Sequence, residues 1–195
     1  MRMVPVSDLV RAALDLQSFC EANDWKFCFI GGIANARWGV PRYTEDADVS
    51  LLTGFGGEES FIAALLTRFE PRRADAGAFA LRSRVLLLRH ENGIGLDVGM
   101  AAFPYEEATV ERASLSETSD DFQGLRICSA EDFIVYKVFA GRDHDWGDVE
   151  GVLQRQRRLN LSIIRRELPW LLETKDDDGL SLARLETLLK KYNHA

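Results

Sequence analysis

The sequence predicts an α/β (α+β) fold, a mixed sheet flanked by helices and followed by a helical C-terminal extension. Three observations support this prediction. An apolar stretch at 26–30 runs into Gly31-Gly32 and then into a helical pattern, which indicates a strand, a glycine turn and a helix. Residues 46–52 alternate between polar and apolar, as in a half-buried strand. Asn92-Gly93 stands between two apolar stretches, and this dipeptide is typical of hairpins.

The remaining elements follow from helix and strand signals taken in order. Ser7 is a suitable N-cap for a first helix, and Gly39 with Pro41 stops the helix that follows the glycine turn. A capping box that begins at Ser129 opens a later helix. The predicted elements are a helix from 7 to about 24, a strand at 26–30, a helix at 33–38, a strand at 46–52, a helix at 58–69, hairpin strands at 85–91 and 94–100, a helix at 129–141, and helices from 143 onward.

Two parts of the chain differ in their predicted structure. Residues 1–128 contain all the strand patterns, whereas residues 129–195 are helical apart from connections. No linker rich in proline, glycine or serine separates them. We therefore expect an αβ core at 1–128 and a helical extension at 129–195 that packs on this core.

Composition indicates an ordinary globular protein. The chain has 195 residues, of which 46% are hydrophobic and 28% charged, close to globular averages. No apolar stretch approaches the roughly 20 residues of a membrane span, and the N-terminus has no signal-peptide pattern. Three cysteines without close spacing do not form a disulfide framework. We expect a cytoplasmic protein with no membrane contact.

The charge is unevenly distributed. The formal net charge is −7, so a phosphate-bearing ligand needs metal ions or a locally basic surface. Segments 68–89 and 155–167 are rich in arginine and interrupt the acidic chain. These segments are either solvated faces or surfaces for a partner. A non-catalytic module that binds protein or nucleic acid through its arginines is therefore an alternative reading of the whole chain.

Three aspartates are the main candidates for chemistry. Asp46 and Asp48 share one face of a predicted strand, and Asp97 stands between Gly95 and Gly99 in a later strand. Acidic residues are depleted in strands, and the glycines leave space beside Asp97. Carboxylate oxygens suit Mg²⁺, so the sequence predicts a magnesium site, with the solvated face of a sheet as the alternative.

Other catalytic motifs are missing from the sequence. There is no H-E-x-x-H, no G-x-S-x-G and no P-loop motif, which disfavours zinc proteases, serine hydrolases and P-loop NTPases. The three histidines, His90, His144 and His194, have no ligand spacing and are predicted to be non-catalytic.

The arrangement of glycines and aspartates resembles the nucleotidyltransferase superfamily (polymerase β-like), and within it the small bacterial branch that includes the AbiEii-type toxins. The residues that carry the resemblance are Phe29-Ile30-Gly31-Gly32-Ile33-Ala34, Gly39, Arg42, Thr44, Asp46, Asp48 and Asp97. A second stretch is similar to a helix-turn-helix segment after the core of that branch, through Glu131-Asp132-Phe133, Lys137, Arg142, Asp145 and Asp148. One departure is Gly32, where many members have serine, so that a serine hydroxyl contact to phosphate is missing.

The resemblance implies a nucleotidyltransferase-like fold and the transfer of a nucleoside monophosphate from an NTP to a hydroxyl. It implies that Asp46, Asp48 and Asp97 are catalytic and hold two Mg²⁺ ions. Gly31 and Gly32 would offer backbone amides to the phosphates.

The resemblance implies less about the residues around this centre. Arg42 and Thr44 either reach phosphate or fix the loop. Lys137 either contacts the nucleotide or is a solvated lysine, and Arg142, Asp145 and Asp148 fit a structural ion-pair network.

The acceptor stays open between RNA, a protein hydroxyl and a small antibiotic hydroxyl. The toxin-like resemblance favours RNA and raises the expectation of an antitoxin protein as partner. For an RNA acceptor, we expect four arginines to follow its phosphate backbone: Arg72, Arg73, Arg82 and Arg84.

Overall fold

The structure is a computed structural model that describes residues 6–117, 121–175, 177 and 179–194. Within these ranges the strands are β1 (Phe27–Phe29), β2 (Asp46–Leu52), β3 (Glu70–Pro71), β4 (Val85–Arg89), β5 (Gly95–Ala101), β6 (Ser114–Leu115) and β7 (Arg126–Ile127). The helices are α1 (Val6–Ala22), α2 (Gly31–Trp38), α3 (Glu58–Arg68), α4 (Ala76–Ser83), α5 (Pro104–Arg112), α6 (Ala130–Ala140), α7 (Asp143–Arg155), α8 (Leu161–Glu173) and α9 (Leu180–Lys191). This is the predicted mixed sheet flanked by helices.

The seven strands form one mixed sheet in the order β3-β4-β5-β2-β1-β7-β6. The pairs β2–β5 and β1–β7 are parallel, and the other neighbours are antiparallel. The two long strands, β2 and β5, lie side by side near the centre. Their apolar residues, among them Val49, Leu51, Leu96 and Val98, are buried, so the alternating polar residues stand on the other face.

The hairpin predicted at Asn92-Gly93 is present between β4 and β5. The side-chain oxygen of Asn92 accepts a hydrogen bond from the Ile94 backbone N–H at 3.1 Å. Gly93 has a φ of +91°, a conformation that glycine adopts at no steric cost. Turn chemistry therefore sets the position of β5 and, with it, that of Asp97.

Several elements lie outside the predicted set. The arginine-rich segment contains β3 and α4, and the stretch before residue 118 contains α5 and β6. Pro104 at the start of α5, with the Glu106 carboxylate accepting from the Phe103 backbone N–H at 2.9 Å, is a recognisable helix start. Helix α2 begins at Gly31 rather than at the predicted residue 33, so the two glycines form its first turn.

The described chain separates into two compact units. One comprises residues up to 33 and 43–128 and contains the sheet; the other comprises 34–42 and the helices after 128. Residues 34–42, which the sequence assigns to the core, group with the second unit because they bond to α7. Within that unit Arg155 donates to the Gly39 carbonyl oxygen at 2.5 Å, and Gln156 donates to the Trp38 carbonyl oxygen at 2.7 Å.

The helices of the second unit have well-defined ends. The Ser129 hydroxyl accepts from the Asp132 backbone N–H at 3.1 Å and so caps α6, as the capping box predicts. Gly141 ends this helix in the left-handed conformation. Among the described residues, no helix combines the length and the apolar composition that a membrane crossing requires.

Candidate active site

The register of the two central strands brings the predicted aspartates together. In the parallel β2–β5 pair, Asp48 is the direct partner of Asp97, and Asp46 is the direct partner of Gly95. Directly opposed residues point to the same face of a sheet. Three carboxylates from two neighbouring strands therefore share the face opposite the buried apolar residues.

Gly95 provides the space in which this cluster fits. A Cβ atom at position 95 would overlap the Asp46 carboxylate and lie 2.9 Å from Arg72 Nη1. A Cβ at Gly99 would meet only the Val49 carbonyl oxygen, at 3.4 Å, which is an ordinary contact. Of the two glycines that flank Asp97, Gly95 alone makes room for the site.

Arg72 lies among the carboxylates. Its Nη1 is 3.4 Å from Asp46 Oδ1, and its Nη2 donates to Asp97 Oδ1. Its backbone N–H donates to the Leu87 carbonyl oxygen at 3.0 Å, and Leu87 is the direct partner of Asp97 across β4 and β5. The side chain of Arg72 is 22% exposed, so its charge is largely shielded from water.

Helix α2 begins beside Asp48. The Gly32 backbone N–H donates to Asp48 Oδ2 at 3.4 Å, at the positive end of the helix dipole. Gly31 has a φ of +56°, and a Cβ there would overlap the Asp48 carboxylate. The first turn of the helix therefore requires glycine both for its backbone conformation and for the approach of Asp48.

Thr44 fills the space beside the second glycine. Its hydroxyl donates to the Asp46 carbonyl oxygen at 3.2 Å, which fixes the residues just before β2 to the start of that strand. A Cβ at Gly32 would lie 2.7 Å from Thr44 Cβ, closer than real side chains allow. A serine at position 32, as many members of the resembled superfamily have, would thus compete with Thr44 for one space.

The carboxylate oxygens of Asp46, Asp48 and Asp97 are of the type that binds a hard divalent cation. In this structure, two of these carboxylates are paired with an arginine of the same chain. Among the described residues, no three acidic, histidine or cysteine side chains form a ready-made metal cage. The carboxylates of Asp46 and Asp97 instead share one cation, the Arg72 guanidinium. Because a positive group already lies between these oxygens, the site fits a cation in charge and in ligand type.

Arg42 and Lys137 belong to the second unit. Arg42 donates to both carboxylate oxygens of Asp148, at 3.0 and 3.1 Å. The Lys137 ammonium lies 2.8 Å from Asp145 Oδ1 and 2.8 Å from Asp148 Oδ2. Its side chain is 9% exposed, so Lys137 is a buried member of an ion network and not a solvated lysine.

Asp145 is the centre of this network. Burial opposes its ionisation, but hydrogen bonds from Arg142 and Lys137 outweigh that effect and lower the pKa of Asp145 to about 2. Burial likewise opposes ionisation of Asp148, where hydrogen bonds from Arg42 and Lys137 outweigh it and lower its pKa. Both carboxylates are charged at neutral pH and hold the two arginines and the lysine.

The four arginines expected to follow an RNA backbone all have carboxylate partners. Arg73 and Arg82 lie 2.8 and 3.4 Å from Asp75 oxygens, and Arg84 lies 2.5 Å from Glu58 Oε1. With Arg72 bound to Asp46 and Asp97, no member of this set is an isolated positive charge. The sequence does not distinguish Arg72, which lies in the site, from its neighbour Arg73.

Comparisons with known proteins concern the fold. No family model and no curated protein matches the chain. Among solved structures, the antibiotic-resistance factor ANT(2'')-Ia is 17% identical, with a TM-score of 0.51 over 94% of this chain and 99% of that chain.

Two further solved structures are similar. The lincosamide antibiotic adenylyltransferase LnuA is 12% identical, with a TM-score of 0.49 over 75% of this chain and 97% of that chain. An antigenic nucleotidyltransferase-like protein from Paracoccidioides brasiliensis is 15% identical, with a TM-score of 0.47 over 94% and 93%. The mixed sheet flanked by helices, and the likeness that spans ANT(2'')-Ia, give this chain a nucleotidyltransferase-like fold.

Proposed function

We propose that the chain transfers a nucleoside monophosphate from an NTP to an acceptor hydroxyl and releases pyrophosphate. The observation that carries this proposal is the β2–β5 register, which sets Asp46, Asp48 and Asp97 on one face beside the first turn of α2. Carboxylates beside helix amides offer a place for both the cations and the phosphates of a metal-bound nucleotide.

Each residue has a role in this proposal. Asp46, Asp48 and Asp97 would hold Mg²⁺, which when bound stabilises the attacking and leaving oxygens of an in-line displacement. The amides of Gly31 and Gly32 would bind the β and γ phosphates, and the Gly32 N–H would exchange its long 3.4 Å bond to Asp48 for a phosphate oxygen. The acceptor oxygen forms a bond to the α-phosphorus, the bond from that phosphorus to the bridging oxygen breaks, and Asp97 helps to remove the acceptor proton.

The structure supports a role at the nucleotide differently for Thr44 than for Arg42 and Lys137. The Thr44 hydroxyl lies beside the Gly32 backbone, so we assign it a phosphate contact that takes the place of the serine missing at position 32. The nucleotide contacts expected of Arg42 and Lys137 remain predictions. Their ion pairs with Asp148 support a structural role in the second unit.

For the acceptor, we favour a small hydroxylated molecule. The arginines assigned to an RNA backbone are paired with carboxylates, which reduces the positive charge available to a polyanion. A fold shared with an antibiotic-resistance factor is consistent with this choice. RNA as acceptor, a toxin-like role and an antitoxin partner are a second proposal that rests on the resemblance in sequence alone.

The test is a transfer assay with each α-labelled NTP, Mg²⁺ and separate pools of aminoglycosides, lincosamides, RNA and protein. We expect label to move to a small hydroxylated compound and Asp48→Asn to lower transfer at least about 100-fold. Asp75→Asn is the matched control, because Asp75 lies in the same unit and its carboxylate pairs with Arg73 and Arg82.

Two outcomes of this assay go against the proposal. Equal transfer by the wild-type protein and Asp48→Asn would remove the carboxylate assignment. If no acceptor is labelled, calorimetry of NTP binding separates the alternatives, because a non-catalytic interaction module should show no heat that depends on Mg²⁺.

A further inference from the structure

Arg72 holds a position that the proposed function gives to a metal ion. Its guanidinium contacts Asp46 through Nη1 and Asp97 through Nη2, so one cation bridges carboxylates on two strands. The side chains of Asp46 and Asp97 are 40% and 29% exposed, so water screens their mutual repulsion only in part. A positive group between them removes that repulsion.

The backbone fixes Arg72 in this place. Arg72 directly follows β3, which pairs with β4 through Glu70 and Pro71, and its N–H is bonded to Leu87. Gly95 then leaves the gap through which the guanidinium reaches Asp46. By contrast, the adjacent Arg73 turns to Asp75 and lies over the Phe79 ring, 4.4 Å from its centre.

The Arg72 guanidinium is itself incompletely bonded. Its Nε is buried and, within the described part of the chain, has no hydrogen-bond partner. A buried donor without an acceptor is costly, and an arginine with all its donors satisfied would be harder to move. The side chain is therefore held by its two ion pairs and lacks a full set of hydrogen bonds.

We propose that Arg72 is an internal counter-ion that occupies the metal position and is displaced when a divalent cation binds. This inference rests on the metal assignment of the proposed function. Two cations do not share the same carboxylate oxygens without repulsion, so binding of Mg²⁺ requires the guanidinium to leave. The released guanidinium can then pair with an anion, and the nucleotide triphosphate is the anion that the site is proposed to take.

Metal binding and thermal unfolding without nucleotide test this exchange, because neither depends on activity. The variants are Arg72→Gln, which removes the charge, and Arg72→Lys, which keeps a charge but cannot bridge two carboxylates in the same way. Arg73→Gln is the matched control. Mg²⁺ binding is measured by calorimetry, and unfolding is followed in EDTA and in saturating Mg²⁺.

We expect Arg72→Gln to bind Mg²⁺ at least tenfold more tightly than the wild-type protein, with Arg72→Lys between them and Arg73→Gln unchanged. In EDTA, Arg72→Gln should unfold at a lower temperature than the wild-type protein, and Mg²⁺ should remove most of that difference. If a variant does not fold in EDTA, the Arg72→Lys comparison alone decides the ranking of affinities.

Three results would overturn the exchange. Equal Mg²⁺ affinity in wild-type and Arg72→Gln proteins contradicts it, while leaving the metal site of the proposed function in place. A loss of stability in Arg72→Gln that Mg²⁺ does not restore shows that Arg72 is structural only. Absence of Mg²⁺ binding in every variant removes the metal assignment itself.

Discussion

Asp48 on β2 and Asp97 on β5 are direct partners in a parallel strand pair, although they lie far apart in the sequence. Both side chains therefore leave the sheet on the same face and at the same level. Each is bonded differently: Asp48 accepts from the first turn of α2, whereas Asp97 accepts from Arg72. Asp48 is thus bonded to the amide end of a helix and Asp97 to a cation.

Replacement of Gly95 by alanine should damage both the fold and the site. Its Cβ would overlap the Asp46 carboxylate and press on Arg72, so we expect a loss of about 1–3 kcal/mol in the free energy of unfolding and a loss of transfer. Urea denaturation and the transfer assay measure the two effects. Gly99→Ala is the control and should be nearly neutral, since its Cβ meets one atom at 3.4 Å. Equal effects of the two substitutions would show that the site does not depend on the space beside Gly95.

Gly31→Ala should be more harmful than an ordinary glycine-to-alanine change in a helix. The φ of +56° costs a residue with a side chain about 1–2 kcal/mol, and the Cβ would displace Asp48. Gly77→Ala in α4 is the comparison, because its Cβ lies 3.7 Å from the nearest side chain and alanine favours helices by up to about 1 kcal/mol. We expect Gly31→Ala to lower the melting temperature and Gly77→Ala to raise it. A raised melting temperature of the Gly31→Ala protein would show that the close contact between Gly31 and Asp48 does not require glycine.

Position 32 and Thr44 should behave as a coupled pair. Gly32→Ser places a side chain against Thr44, so nucleotide binding measured by calorimetry should weaken, and Thr44→Gly should weaken it by removing the hydroxyl. The double variant supplies a hydroxyl from position 32 and, with no Cβ at 44, vacates the space there. We expect its affinity to exceed that of either single variant. Additive losses would mean that the two positions do not share one space.

The ion network of the second unit should make stability depend on pH in acid. The pKa of Asp145 is lowered to about 2 from 3.8, so its ionised form stabilises the folded chain above about pH 4. This contribution, about 2 kcal/mol, is lost as the pH falls from about 4 to about 2. Melting temperatures at pH 7 and pH 3 measure about half of this loss.

Asp145→Asn provides the control for this pH dependence. It removes the charge of Asp145 and leaves Lys137 paired with Asp148, so the free energy of unfolding at pH 7 should drop by about 2 kcal/mol. The variant should lose less stability than the wild-type protein between pH 7 and pH 3. An acid transition as steep as that of the wild-type protein would remove Asp145 as its source.

Local patterns allowed much of the sheet to be predicted. Alternation along β2, the Asn92-Gly93 turn and the Ser129 cap are signals contained in a few adjacent residues, and each element is present. The short strands had no such signal, because a two-residue strand such as β3 has no period to detect. Helix α4 was missed because it is short, contains Gly77 and directly follows an arginine-rich stretch.

Contacts between distant residues explain what the sequence left open at the site. Strand alternation and the family resemblance grouped the three aspartates, but the pairing of Arg72 with Asp46 and Asp97 depends on the order of β3, β4 and β5. Likewise, Thr44 occupies the space that a side chain at position 32 would need, although the two residues are not adjacent in the sequence. Neither contact can be predicted from a pattern of neighbouring residues in the sequence.

Crystallography of the protein with Mn²⁺ and a non-hydrolysable NTP tests the assignment of the metal and the phosphates to this site, because anomalous scattering locates the metal independently of any acceptor. We predict Mn²⁺ in direct contact with oxygens of Asp46 and Asp48, phosphates at the Gly31 and Gly32 amides, and Arg72 withdrawn from Asp46. A bound nucleotide whose metal lies away from Asp46, Asp48 and Asp97, or no metal on these carboxylates at saturating Mn²⁺, would contradict the account.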